Sequence, residues 1–289
     1  MLGLIDHGVP GWSQPSDGFH YLNSQPSTYE VYFGLGQRLI FLNTLNVFKI
    51  SLAGLKLGDY LVRTSDAITL NGSFLDIGTG SGAHALLMRK LGNKKIIATD
   101  ICKASINQAK THEKINFKTS EITFHISNLF EKIPQQKFQT IAFNPPGWRT
   151  PSTSLIKILE GLERKGELSA RAMFYGDDVI TRFLEDLPRY LSIGGRAIIG
   201  LNSLVGIDDI FKKYNDKNNK TPLLQYKLIE RYTLPLLYYS AQWQKLEKNL
   251  KIEFEEWSRK GLANYTIDRQ GKIYWSYEII EISHRSSEK

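Results

Sequence analysis

The chain of 289 residues suits one α/β core with additions, and its 42% hydrophobic and 23% charged residues exclude a disordered, collagenous or coiled-coil protein. The net charge of +8 is diffuse, with four Lys/Arg against five Asp/Glu in residues 1–70, fifteen against ten in residues 211–289, and no basic run longer than two, which argues against a nucleic-acid partner. A single cysteine, Cys102, excludes an internal disulfide and a Cys-rich zinc site, and without a spanning apolar run or a basic leader the chain is expected to be cytoplasmic, with no membrane partner.

Residues 1–70 open irregularly, punctuated by Pro10, Gly11, Pro15, Gly18 and Pro26, and an apolar helix-like stretch is expected around Arg38–Phe48. From Ser73 on, short apolar runs alternate with amphipathic stretches, the pattern of a mostly parallel sheet covered on both faces. Strands are expected near Phe74–Ile77, Lys95–Thr99, Ile122–Ser127, Phe138–Phe143 and Arg196–Leu201, with helices at Ala83–Leu91, Ala104–His112 and Asp177–Leu191. Two later strands, Tyr226–Tyr232 and Lys272–Ile282, flank a charged helix at about Gln242–Lys260, and the last strand inserts antiparallel to complete seven. The fold class is therefore α/β and Rossmann-like, with an N-terminal extension over 1–70, expected to cap the substrate, and a catalytic domain over 71–289 with C-terminal additions.

Three alternate glycines, Gly78, Gly80 and Gly82, fall between the first strand and the first helix, where the backbone must turn sharply and approach a ligand closely. Asp100, ending the second strand 22 residues after Gly78, is placed to accept both ribose hydroxyls of an adenosine, a geometry shared by S-adenosylmethionine (AdoMet) and NAD. Asp76 discriminates further. A carboxylate two residues before the first glycine repels a pyrophosphate, whereas it helps organise the loop around the ammonium end of AdoMet. His84, opening the first helix, is read as a packing or a cofactor contact, with packing favoured. The six histidines show no metal-ligand spacing, so no metal is expected.

After the fourth strand comes Asn144-Pro145-Pro146-Gly147-Trp148. Two prolines fix the backbone and remove two donors, leaving the carbonyl groups of Asn144 and Pro145 rigid and available. Such acceptors hold an NH₂ group by both hydrogens and aim its nitrogen at a methyl sulfonium, a transfer driven by positioning and solvent exclusion, with no protein nucleophile.

Taken together, Asp76–Gly82, Thr99-Asp100-Ile101 and Asn144-Pro145-Pro146 resemble the ordered motifs of class I AdoMet-dependent methyltransferases, in particular the group of release-factor glutamine methyltransferases (HemK-like) and "methyltransferase small domain" proteins. The resemblance covers about Ser73–Leu201. It implies that AdoMet is the cofactor, that Asp76, Gly78, Gly80, Gly82, Asp100, Asn128 and Leu129 bind it, and that Asn144 and Pro145 are catalytic. Asn128 stands where that family has an Asp receiving the adenine amino group, and its carbonyl oxygen is an acceptor without the charge. Leu129 and Phe130 either flank the adenine or belong to the core. The family's stacking aromatic directly after Asn-Pro-Pro is replaced by Gly147, with Trp148 one position later.

Pro146, Trp148 and Arg149 are assigned to the substrate, Arg149 as a fork for a carboxylate or phosphate or else a surface arginine. Tyr175-Gly176-Asp177-Asp178 resembles a substrate-side loop of the same group, with Asp177 leaning toward a helix N-cap. Aromatics outside the shared core, Trp12, Phe19, Tyr21, Tyr29, Tyr32, Phe33, Tyr238, Tyr239, Trp243 and Trp257, are candidates to wall a pocket. The expected activity is N-methylation of an amine or amide on a small molecule or peptide. Two alternatives stand beside it: an RNA or protein N-methyltransferase, and a nucleotide-binding Rossmann protein without methyl transfer.

Overall fold

Residues Phe74, Leu75 and Ile77 and the run Ile141–Phe143 are buried to within 2% of full occlusion. Strands covered on both faces read as continuous apolar runs in this way, and they form the centre of the sheet. The structure, a computed structural model, describes residues 27–218 and 222–285. Its elements in chain order are β1 (Thr28–Tyr32), β2 (Arg38–Leu42), α1 (Leu52–Thr64), α2 (Ala67–Asn71), β3 (Phe74–Ile77), α3 (Ala83–Lys90), β4 (Ile96–Asp100), α4 (Lys103–Asn116), β5 (Thr123–Ile126), β6 (Phe138–Phe143), α5 (Thr153–Leu162), α6 (Gly176–Tyr190), β7 (Leu191–Asn202), α7 (Ile207–Lys217), β8 (Leu224–Pro235), α8 (Ala241–Lys245), α9 (Glu247–Arg259), β9 (Tyr265–Ile267) and β10 (Ile273–His284).

The main sheet runs β5-β4-β3-β6-β7-β10-β8, with short β9 paired to β10. Strands β3 to β7 are parallel, and β10 enters between β7 and β8 antiparallel to both. The last long strand is inserted antiparallel as expected, and the short β9 makes the sheet eight-stranded where seven were expected. One face of β3 sends Phe74 into a cluster with Leu57 and Leu61 of α1 and Leu86 and Leu87 of α3. The other sends Leu75 and Ile77 toward Ile180, Phe183, Leu184 and Leu187, the buried stripe of α6. Asp177 and Asp178 in the first turn of α6 and Arg189 in its last complement the helix dipole. A third cluster joins Trp148, Leu155 and Phe174 to Trp243, Leu250 and Phe254 beside the carboxyl edge of the sheet.

The helix-like stretch expected at Arg38–Phe48 is instead strand β2 followed by an irregular segment. Leu39 and Phe41 are buried while Arg38 and Ile40 are exposed, a period of two that pairs with β1 rather than a helical period. The turn between them holds Gly34, Leu35 and Gly36 at positive φ. The helix starts later, at Leu52, where the Ser51 hydroxyl accepts the Gly54 N–H at 3.1 Å. The prolines and glycines that punctuate the opening, and Trp12, Phe19 and Tyr21, lie outside the described residues. Of the remaining early aromatics, Tyr29 and Phe33 are core, the Phe33 ring lying against Gly58 of α1, and Tyr32 faces Arg38. The single charged helix expected at Gln242–Lys260 is two helices broken at Leu246. No helix among the described residues is long and apolar enough to cross a membrane.

Candidate active site

The register places Ile77 beside Thr99 and Phe143, so the carboxyl ends of β3, β4 and β6 open onto one edge. Such an edge is where open parallel sheets bind ligands. Asp76 lies between Ala98 and Ala142, whose small side chains leave it room. Its Oδ2 accepts the Thr79 hydroxyl at 2.5 Å and the Ala85 N–H at 3.1 Å, tying the loop to the first turn of α3. Burial pushes the Asp76 carboxyl above the ordinary carboxylate range, with nearby His84 and these two donors opposing the shift. The residue therefore braces the loop from beneath.

Gly78, Gly80 and Gly82 all adopt positive φ. The three positions meet different surroundings. A Cβ on Gly82 would stand 2.9 Å from Ala109 of α4, so this glycine permits close helix packing, whereas a Cβ on Gly80 would meet no heavy atom within 4 Å. The open side of the loop is thus at Gly80. There its N–H donates to Asp100 Oδ2 at 2.8 Å, while the Cys102 N–H donates to Oδ1 at 2.8 Å. Burial raises the Asp100 carboxyl and the two backbone donors lower it. A carboxylate offers about four lone-pair positions, so Asp100 keeps acceptor capacity for two hydroxyls. An adenosine ribose fits this arrangement, with Gly80 giving backbone access beside it.

At the end of β5, Asn128 Nδ2 donates to Glu131 at 2.7 Å and its Oδ1 faces Arg182 at 3.4 Å. Leu129 adopts positive φ and is buried, and Phe130 stacks on Tyr190 and Phe183. Phe130 is a core residue.

Beyond β6, the Tyr277 hydroxyl donates to Asn144 Oδ1 at 2.9 Å. Tyr277 comes from β10 and is completely buried, which drives its phenol well above the usual range. The backbone carbonyls of Asn144 and Pro145 accept no hydrogen bond from the described residues. Strand β6 thus ends in a fixed side-chain oxygen and two free carbonyls. The first turn of α1 approaches from the other side: the His84 Nε2–H donates to the Gly54 carbonyl at 2.9 Å, and a Cβ on Gly54 would lie 3.8 Å from Asn144 Nδ2. His84 therefore makes a packing contact to α1.

Pro146 turns the chain into Gly147, where a Cβ would stand 2.7 Å from Asn202 Nδ2. The next stretch zips onto 173–176, the Trp148 N–H donating to Met173 O and the Gly176 N–H to Trp148 O, each at 2.8 Å. Arg149, Asp177 and Trp148 each depart from expectation. Arg149 neither lies on the surface nor offers its fork to a substrate: Nη1 donates to Val205 O at 2.9 Å, and Nη2 pairs with Asp209 at 2.9 Å and Asp177 at 3.3 Å. Asp177 lies in the first turn of α6, which is capped by Tyr175, and accepts the Thr150 N–H at 2.7 Å instead of capping its own helix. Trp148 is buried to 1% exposure against Phe174, Trp243 and Phe254, so no ring face stays open for stacking.

The sequence profile of a methyltransferase-domain family matches residues 68–253. The chain belongs to the class I AdoMet-dependent methyltransferases. It is 33% identical over 143 residues to a putative protein N5-glutamine methyltransferase of Methanocaldococcus jannaschii, covering 50% of this chain and 68% of that one. It is 34% identical over 135 residues to a release factor glutamine methyltransferase of Rhodopirellula baltica, covering 45% of each. A bifunctional methyltransferase of Rickettsia typhi matches at 31% over 145 residues, which is 28% of that protein. Among solved structures, the T. thermophilus 16S rRNA N2 G1207 methyltransferase in complex with AdoMet and guanosine superposes with a TM-score of 0.54 at 14% identity, over 92% of this chain and 52% of that one. The enzyme's cofactor is AdoMet, and the open backbone at Gly80 beside the Asp100 carboxylate has the chemistry to hold an adenosine ribose.

Sequence reasoning missed Tyr277 as a site residue, as well as Asn202 and the α1 start. Tyr277 shares the alternating face of Ile273, Trp275 and Ile279, a pattern that marks burial but not the partner of a hydroxyl.

Proposed function

We propose that the enzyme transfers the AdoMet methyl group to the nitrogen of a carboxamide or amine carried by a small molecule or peptide, a glutamine side-chain amide being the leading case. The observation that carries this reading is the acceptor set at the end of β6: the two free carbonyls of Asn144 and Pro145 and the Asn144 Oδ1. An NH₂ group donating to two of these oxygens presents its nitrogen to the edge where Gly80 leaves the loop open, and the same acceptors support positive charge developing on that nitrogen. The relatives named for glutamine methylation favour the same acceptor class. In this reading Asp76, Gly78 and Gly82 shape the cofactor loop, Asp100 takes the ribose hydroxyls, and Asn128 and Leu129 border the adenine. Pro146 holds the turn against the substrate. Residues 1–70 serve as the cap, which the packing of Gly54 beside Asn144 supports.

The test is methyl transfer from isotopically labelled AdoMet to a glutamine peptide, a primary amine and a structured RNA, with the product hydrolysed and the methylated atom identified by mass spectrometry. An N-methylated product is expected from the peptide or the amine. A methyl group on oxygen or carbon, or acceptance by RNA alone, would overturn the reading.

A further inference from the structure

Next to the Asn-Pro-Pro turn lies a narrow cavity of about 20 Å³, lined by Trp148, Asn202, Tyr239, Trp243 and Trp275 with uncharged, apolar side chains between them. That volume admits one water or one small functional group. No charged side chain is in its wall. Two donors are. The indole N–H of Trp148 is buried with no acceptor among the described residues. Asn202 is 5% exposed, and its Oδ1 is already engaged by the Leu204 N–H at 2.9 Å, while its Nδ2 makes no hydrogen bond to a described residue. The other buried indole of this wall is satisfied, Trp243 Nε1–H donating to Ala170 O at 2.9 Å. Buried donors normally find partners, so the Trp148 indole N–H, left over in a residue that lines this cavity, calls for an oxygen from outside the protein, and the unpaired Asn202 NH₂ in the same wall is accessible to join it.

Two residues of the cavity wall lie against neighbours of the acceptor set. Asn202 Nδ2 stands 2.7 Å from where a Gly147 Cβ would lie, and Trp275 packs edge-on against Tyr277, the residue that holds Asn144. A wall of three indoles and a phenol suggests at first a cation cage. The two unpaired N–H donors carried by that wall oppose this, because their positive ends repel a cation and favour a lone pair. An anion is opposed by the absence of any basic residue in the wall, since a charge buried unpaired is costly.

Resting on the N-methylation reading above, we infer that this cavity is an acceptor subsite that receives a neutral carbonyl oxygen of the substrate, held by Trp148 Nε1–H and Asn202 Nδ2–H. It selects carboxamides over both carboxylates and alkylammonium groups. The specificity-determining residues are Trp148 and Asn202, Trp148 acting through its N–H and not through ring stacking.

Three small probes, acetamide, acetate and tetramethylammonium, can be titrated into the full chain saturated with S-adenosylhomocysteine, following the indole N–H signals by ¹H–¹⁵N NMR. Trp148→Phe assigns the relevant signal and removes the N–H while leaving an aromatic side chain, and Asn202→Asp keeps the acceptor for Leu204 while removing the donor; thermal melts identify either variant if it fails to fold, leaving the other as the test. Acetamide alone is expected to shift the Trp148 signal, and each variant is expected to weaken its binding by about five- to tenfold, the worth of one net hydrogen bond. Tighter binding of tetramethylammonium or acetate, no shift with any probe, or acetamide binding indifferent to both variants would overturn the subsite. Because these are binding readouts, acetamide bound with no nitrogen methylated would sink the N-methylation reading alone. N-methylation with kcat/KM for the carboxamide unchanged in Trp148→Phe and Asn202→Asp would sink the subsite alone.

Discussion

Tyr277, on the last strand, donates its hydroxyl at 2.9 Å to Oδ1 of Asn144, 133 positions earlier, and thereby orients the amide that ends β6. Replacing Asn144 by Ala is expected to leave AdoMet affinity nearly intact and to lower turnover by about a hundredfold, the cost of misplacing a reacting group. Tyr277→Phe keeps the ring and loses the bond, and a smaller loss of about three- to tenfold in kcat is expected. Single-turnover rates with calorimetric AdoMet affinities check both. Wild-type turnover in Asn144→Ala would remove that residue from the mechanism.

Gly200 lies beneath the same hydroxyl: a Cβ there would stand 1.8 Å from Tyr277 Oη. Gly200→Ala is expected to push the phenol away from Asn144 and to reduce turnover at least as much as Tyr277→Phe. In the double variant the two losses should fall short of additivity, since both act through one bond. Additive effects in that cycle would show that Gly200 matters by another route.

Gly80→Val forces a branched residue into positive φ and fills the open side of the loop, and Asp100→Ala removes the acceptor of the Gly80 N–H as well as the ribose acceptor. Each is expected to weaken AdoMet binding by about tenfold or more, because hydrogen bonds to a charged group contribute about 1.5–3 kcal/mol. Calorimetry with AdoMet decides it, and parental affinity in both variants would contradict the assignment of these residues.

His112 gives a pH prediction. Its Nδ1–H donates to Ser81 O at 2.8 Å and its Nε2 accepts the Leu42 N–H at 2.9 Å, so the neutral ring ties the glycine loop to the β1–β2 hairpin. Burial is the main cause that lowers its pKa from the ordinary 6.5, the Ser81 carbonyl opposing the shift. The unfolded chain therefore takes up the proton first, so this contribution to stability is complete above about pH 6.5 and is lost as pH falls below it toward the folded value. Melting temperature is expected to drop more steeply for the parent than for His112→Gln between about pH 7.5 and about pH 5.5. Equal slopes would show that His112 titrates alike in both states.

Nonspecific RNA should bind weakly at physiological salt, because the excess charge is diffuse and no basic run exceeds two residues. Submicromolar, sequence-tolerant binding in a polarisation assay would instead direct attention to an RNA acceptor.

The parallel strands were legible because each is a short apolar run bounded by turn residues, and β6 was read with its observed bounds, Phe138–Phe143. The glycine loop and Asp100 were legible for a local reason: positive φ and strand-end position leave their mark within a few residues. The β1–β2 hairpin was misread although its alternation of Tyr29 and Val31, then Leu39 and Phe41, is plain once the Gly34–Gly36 turn is given weight. Arg149 was misread for a different reason. Its three partners lie 28, 56 and 60 positions away, and nothing local distinguishes a buried guanidinium from an exposed one. Tyr277 is the extreme case, since its role exists only once β10 lies beside β7.

That insertion has a consequence for the order in which the molecule acquires competence. The glycine loop and Asp100 are set within β3, β4 and α3, a nearly contiguous stretch that can organise early during synthesis. Asn144 waits for a strand delivered more than a hundred residues later, which must slip between β7 and β8 and pair with both. Pairings of such long sequence separation form slowly. The Tyr277–Asn144 bond is therefore among the last contacts of this edge to form, because it joins a strand that must first be threaded between two others.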